Sequence, residues 1–206
     1  MLTRARRGRA ATPAARGHDV YQLKVVLREV EPPVWRRLHV PGSLRLDRLH
    51  RVLQRVMGWT NSHLHEFVIA GRRYGEPDPE GGPTAVLPEH RVRLCDVAAA
   101  ENRHFLYRYD FGDNWQHEVL VERISTAREG GVVPVCLAGA RRCPPEDCGG
   151  VPGYEEFLAT IHDVGHPQHD ERLAWVGGAF DAESFDLDQV NRALAGPRRQ
   201  KRGRRR

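Results

Sequence analysis

The chain has 206 residues, 40% of them hydrophobic and 29% charged, with a formal net charge of +5. That is enough for one sizeable soluble domain or two small ones. No apolar run is long enough to span a bilayer and no hydrophobic segment follows the opening MLTRARRGRA, so no membrane span is expected, no signal peptide is expected, and the cytoplasm is the default location.

The charge is unevenly spread. Residues 1–18 carry five arginines and residues 197–206 carry seven basic residues, with no acid in either stretch, so residues 19–197 carry −7. Like-charge runs repel and resist compaction. Residues 1–18 and 197–206 are therefore expected to be disordered basic tails around one domain at 19–196. Arg198, Arg199, Lys201, Arg202, Arg204, Arg205 and Arg206 are candidate phosphate contacts, because clustered cations displace counterions from DNA or other nucleic acid. The same run also suits a merely solvated tail.

Tyr21 to Val30 alternates apolar and polar residues, placing Leu23, Val25 and Leu27 on one face of a strand. Glu31-Pro32-Pro33 breaks it, and Val34 to Val40 resumes as the second arm of an antiparallel hairpin. Ser43 is the expected N-cap of a helix running to about Met57, buried along Leu46, Leu49, Leu53 and Val56, with Gly58 closing it. Arg45, Arg48, Arg51 and Arg55 lie on the opposite side. They suit either a nucleic-acid contact or an ordinary solvated face.

His63 to Ala70 reads as a strand with His63, His65, Phe67 and Ile69 on one face, and Gly71 starts a turn into a short return strand. Residues 75–91 are rich in proline and glycine and read as a loop. Val92 to Ala100 is a short turn or helix with Leu94 and Val97 inward. His104 to Phe111 and Trp115 to Ile124 form a second hairpin about Gly112, Asp113 and Asn114. Phe105, Tyr107, Tyr109 and Phe111 share a face of its first strand. Val132 to Leu137 is a candidate strand, and Cys136 to Gly153 an irregular stretch. Three helices follow: Tyr154 to His162, His166 to Val176 with Leu173 and Trp175 or Val176 inward, and one capped by Asp186. The expectation is α+β: a single domain, a mostly antiparallel sheet and about four helices.

Five stretches together resemble the Ri-plasmid ORF-3-like family, known also through TnpR, the passenger protein of an insertion element. They are YQLKVVLREVEPPVWRRLHVP, HLHEFVI, YDFGDNWQHEV, CLAGARRCPPEDCGGVPGYEEFL and WVGGAFDAESFDLDQVNRAL, in that order over about residues 20–195. The resemblance implies an α+β fold and an accessory role linked to mobile DNA. It does not bring recombinase chemistry with it. Ser43, Ser62, Ser125 and Ser184 lack the clustered arginines a serine nucleophile needs. His169-x-x-Arg172 has no tyrosine after it, since Tyr154 is the last.

Two constellations are candidates for chemistry. His63 and His65, with His117, Asp110 and Asp113 from the second hairpin, combine imidazole and carboxylate donors that suit zinc or another divalent ion. Asp110, Asp113 and His117 would be the catalytic groups of a metal-dependent hydrolase or nuclease. The same aspartates also suit turn architecture. Cys143 and Cys148, at a spacing acceptable for zinc, lie in a segment that also contains Cys136, Glu146 and Asp147. They read first as small buried thiols, and Glu146 and Asp147 as caps for the helix that follows. The three functional expectations are a non-enzymatic DNA-binding accessory protein, the metal-dependent enzyme, and a protein-interaction module. They hinge on whether the His63 strand lies beside Asp110.

Overall fold

The structure is a computed structural model and describes residues 19–77, 86–127 and 133–196. Both basic tails lie outside these residues, as do the C-terminal candidates Arg198 to Arg206. Eight strands form one sheet in the order β5-β4-β3-β6-β7-β1-β2-β8, antiparallel except for the β4–β5 pair. The strands are β1 Asp19–Leu27, β2 Trp35–Pro41, β3 His65–Ile69, β4 Arg72–Gly75, β5 Leu87–Pro88, β6 His104–Tyr109, β7 Trp115–Thr126 and β8 Val135–Ala140. The helices are α1 Leu46–Met57, α2 Leu94–Val97, α3 Gly150–His162, α4 His169–Trp175 and α5 Leu187–Ala195. No described helix is long and apolar enough to cross a membrane.

Alternation along the strands buries one face of the sheet: Leu23, Val25 and Leu27 of β1, Leu38 and Val40 of β2, Phe67 and Ile69 of β3, Phe105, Tyr107 and Tyr109 of β6, and Trp115, Val119 and Val121 of β7. The Leu46–Leu49–Leu53–Val56 stripe of α1 joins this core. The other face carries polar ladders, such as Arg37 on Glu122 at 2.7 Å. Burying the apolar face is the main stabilising contribution, at about 25 cal/mol per Å² removed from water.

Several local expectations are revised. The residue preceding α1 is Arg45, not Ser43, and it makes no side-chain cap. The entry is held instead by backbone bonds to the α2 segment, Leu46 N to Val92 O and Leu94 N to Leu44 O, each 2.9 Å. Loop 75–91 is not wholly irregular, since Leu87–Pro88 adds a parallel edge strand. β8 extends to Ala140, and α3 starts a turn early at Gly150, with Pro152 in the first turn where no amide donor is needed. Phe111 leaves the aromatic face and is 46% exposed, because Asp110 at φ 55° breaks the alternation after Tyr109. Of the alternatives Trp175 and Val176, it is Val176 that packs on the core with Leu173, and Trp175 is 45% exposed. Arg36, on the core side of β2, is 3% exposed. It donates to Val56 O, Trp35 O, Ala140 O and Arg141 O at 2.7–2.8 Å, tying α1 to the end of β8. The Asp186 cap of α5 is as expected, its Oδ1 accepting from Gln189 N at 2.8 Å.

Candidate functional site

β3 lies beside β6 with His65 opposite Tyr109. Continued one residue beyond the strands, that register sets Asp110 against Leu64, with Asp110 N donating to Leu64 O at 2.9 Å, and His63 follows one residue further. Asp110 divides its two carboxylate oxygens. Oδ1 accepts from the amides of Gly112 and Asp113 at 2.9 and 3.3 Å, closing the hairpin turn. Oδ2 faces His63 Nε2 at 3.6 Å. Turn architecture and a candidate ligand are thus one side chain.

A third segment completes the cluster. The Pro144–Asp147 stretch is clamped onto the sheet by Trp59 Nε1, which donates to Pro144 O at 3.0 Å, and by three donors onto Glu146. Thr60 N reaches Glu146 Oε1 at 2.7 Å, Thr60 Oγ1 the same oxygen at 3.0 Å, and Tyr109 O–H both oxygens at 3.1 Å. Burial first, then the Glu146 charge, pushes the Tyr109 hydroxyl up to about 12, so it remains a donor. Asp147 then turns at φ 58° and its Oδ1 comes 3.0 Å from His63 Nε2, with Glu146 Oε2 at 3.8 Å.

The following glycines make this docking sterically feasible. A Cβ on Gly150 would meet Asp113 O at 2.6 Å, and one on Gly153 would meet Cys148 O at 1.9 Å. The α3 N-terminus is not capped by Glu146 or Asp147. Asp113 Oδ2 instead accepts from Gly149 N at 3.2 Å, which joins the hairpin tip to the helix entry.

One imidazole nitrogen therefore faces three carboxylates. His63 Nε2 is shielded from solvent and sits in no aligned hydrogen bond. Ligating atoms of His63, Asp110 and Asp147 all lie within 4.8 Å of one another. Donors about 2.1 Å from a tetrahedral ion stand roughly 3.4 Å apart, so contacts of 3.0 and 3.6 Å bracket the spacing of a metal shell. The cluster also forms part of the walls of two cavities. One, of about 420 Å³, includes His63, His65, Arg51 and Glu89. The other, of about 700 Å³, includes Glu146 and Asp147.

These segments lie within the stretch that matches known proteins. Residues 19–189 match the plasmid pRiA4b ORF-3-like protein family. The chain belongs to that family. It is 43% identical over 177 residues to the uncharacterized protein y4hQ of Sinorhizobium fredii, covering 85% of this chain and 91% of that one. It is also similar to the crystal structure of MM3350, a protein of unknown function from Methanosarcina mazei Go1. That likeness has a TM-score of 0.74 and 38% identity, over 84% of this chain and 96% of the other.

In this ORF-3-like chain the other candidate residues lie apart from the cluster. His65 Nε2 meets Glu89 Oε2 at 2.9 Å, and its ring stacks on His50 with centroids 3.4 Å apart. His117 is fully buried, with Nδ1 3.3 Å from Tyr107 O and its ring edge-on to Trp59. Burial pushes it down to about 4, which keeps it neutral. Asp113 serves the helix entry described above. Burial pushes the Cys143 and Cys148 thiols up to about 12, and both cysteines are free, outside the His63 group. At the start of α1, Arg45 and Arg48 lie 3.0 and 3.5 Å from Asp47, and in its last turn Arg55 donates to Leu194 O at 3.2 Å. Arg51 stays unpaired among the described residues and lines the smaller cavity.

A polar network beneath that cavity had no counterpart in the sequence reading. Tyr107 O–H donates to His50 Nδ1 at 2.8 Å, His50 Nε2–H to Asn61 Oδ1, Asn61 N–H to Gln54 Oε1 at 3.0 Å, and Gln54 Nε2 back to Tyr107 at 3.0 Å. The directions close into a ring. Burial, then the neighbouring His65, pushes His50 down to about 3, which matches its neutral tautomer. The available signal was spacing. His50 and Gln54 sit at i and i+4 within the buried stripe of α1.

Proposed function

We propose that the protein is a metal-dependent hydrolase that holds a divalent cation, Zn²⁺ or Mn²⁺, between His63, Asp110 and Asp147. The convergence of these three ligating atoms, from segments distant in sequence, carries the proposal. Imidazole plus carboxylate is a donor set for such ions, and three protein ligands leave a position for water. A cation there would lower the pKa of a bound water toward neutrality. Glu146, fixed by Tyr109 and Thr60 at the edge of the cluster, is placed to take that water's proton.

The test is elemental analysis after dialysis against Zn²⁺ or Mn²⁺, followed by assay on phosphomonoesters, phosphodiesters and carboxylic esters. One bound ion is expected, lost in His63→Ala and Asp110→Asn. Glu146→Gln should keep the ion while turnover falls by about 10²-fold or more. Absence of any bound ion in the unmodified protein would sink the proposal.

We place this activity in the accessory repertoire of mobile elements on sequence likeness alone. Nucleic-acid contact through Arg198 to Arg206 is the second reading, supported by the charge asymmetry. It predicts salt-sensitive DNA binding that is lost when residues 197–206 are removed. Equal binding by the truncated chain would refute it.

A further inference from the structure

The larger cavity lies between the C-terminal end of α1, the 142–147 segment, and helices α4 and α5. Its volume of about 700 Å³ is in the range of small-molecule sites. Three arginines line it, and none has a carboxylate partner among the described residues. Arg36 spends its donors on four backbone carbonyls, Arg55 reaches Leu194 O, and Arg142 lies over the Phe180 ring at 4.5 Å. Three acids share the wall. Glu146 accepts from Thr60 and Tyr109, Asp147 faces His63, and Asp186 caps α5. Arginines and acids are thus equal in number, and Arg142 and Arg55 keep N–H donors that no carboxylate of the described residues takes up. Beside the arginines stand aromatic surfaces. Trp175, nearly half exposed, packs edge-on against Phe157, which in turn packs against Phe180.

We infer that this cavity binds a nucleotide, with the base against Trp175 and the phosphate at Arg142 and Arg55, turned toward the Asp147 side of the cluster. A flat ring finds an aromatic partner, and a phosphate finds guanidinium groups free to receive it. The inference deepens the cation proposal by naming a ligand class for the same site. It depends on that proposal only for the metal-enhanced part of the affinity.

The experiment is calorimetric titration of the full chain with ADP, adenosine and inorganic phosphate, in EDTA and then with Mn²⁺, alongside direct Mn²⁺ binding by electron paramagnetic resonance. ADP should bind in EDTA and several-fold more tightly with Mn²⁺. Arg142→Ala should weaken ADP by about tenfold but leave adenosine unchanged. Trp175→Ala should weaken both by about five- to tenfold. Both side chains are exposed, so the variants should fold, and circular dichroism checks that. Asp147→Asn should remove only the Mn²⁺ increment. No ADP binding in either buffer overturns the inference, as does ADP binding unchanged in both Arg142→Ala and Trp175→Ala. ADP binding that needs Arg142 and Trp175 without any Mn²⁺ binding upholds the nucleotide pocket and removes the cation proposal.

Discussion

Two polar clusters sit close together on one face of the sheet, and they are completed differently. Around Tyr107, four donors meet four acceptors in a closed ring with no net charge. Around His63, three carboxylates converge on one nitrogen that has no aligned partner. The ring needs nothing from outside the chain. The His63 cluster gathers three carboxylates about one imidazole nitrogen and closes no such ring. A satisfied buried network reads as structure, and an open one beside cavities is the candidate for function.

That contrast predicts a graded set of effects. The largest effect of a single substitution belongs to the ring. Tyr107→Phe leaves His50 Nδ1 and the Gln54 amide without a partner and should cost about 2–4 kcal/mol in urea unfolding. Should it unfold at the same urea concentration as the unmodified chain, the ring is not the structural element described.

Next comes the cluster's response to metal. Zn²⁺ or Mn²⁺ at a hundredfold excess over its dissociation constant should stabilise the unmodified protein by about 3 kcal/mol. Asp110→Asn should abolish that shift in a thermal melt. A shift that survives the substitution would place the ion elsewhere.

The third effect is a pH dependence belonging to the neutral histidines. An unfolded histidine takes up its proton near 6.5, whereas His50 and His117 are pushed down to about 3 and about 4 in the fold. Between those values the unfolded chain binds more protons. Stability is therefore flat above about pH 6.5 and falls as pH drops toward 4, by on the order of 1 kcal/mol per unit for each histidine. Urea midpoints at pH 7, 5.5 and 4.5 measure it, and equal midpoints would contradict the buried neutral assignment.

The smallest effect sharpens the comparison from the other side. In EDTA, Asp147→Asn should change stability by less than about 0.5 kcal/mol, or raise it slightly, because it relieves repulsion at an exposed position. A large loss would make the cluster structural, like the ring.

The elements were mostly legible in the sequence. Alternation identified β1, β2, β6 and β7, and helical spacing identified the α1 stripe. Asp186 and Gly58 marked helix ends, because caps and periodicities are local properties of the backbone. The misplacements have local causes too. Asp110 adopts a left-handed conformation that ejects Phe111, and the α1 entry takes its hydrogen bonds from the α2 segment rather than from Ser43. The candidate site was legible in half. His63 and Asp110 stood out by residue type, whereas Asp147 read as a helix cap and His50 drew no reading at all.

By itself, then, the sequence determined the strands, the hairpin turn, the buried stripe and family membership, since each is written in neighbouring residues. Only the tertiary structure decided which histidine meets which carboxylate. The β3–β6 register sets Asp110 against Leu64, beside His63, and the Trp59, Thr60 and Tyr109 contacts to the Pro144–Glu146 stretch bring Asp147 across. Such meetings depend on docking between distant segments, where close glycine packing and shared hydrogen bonds select one arrangement that no local pattern encodes.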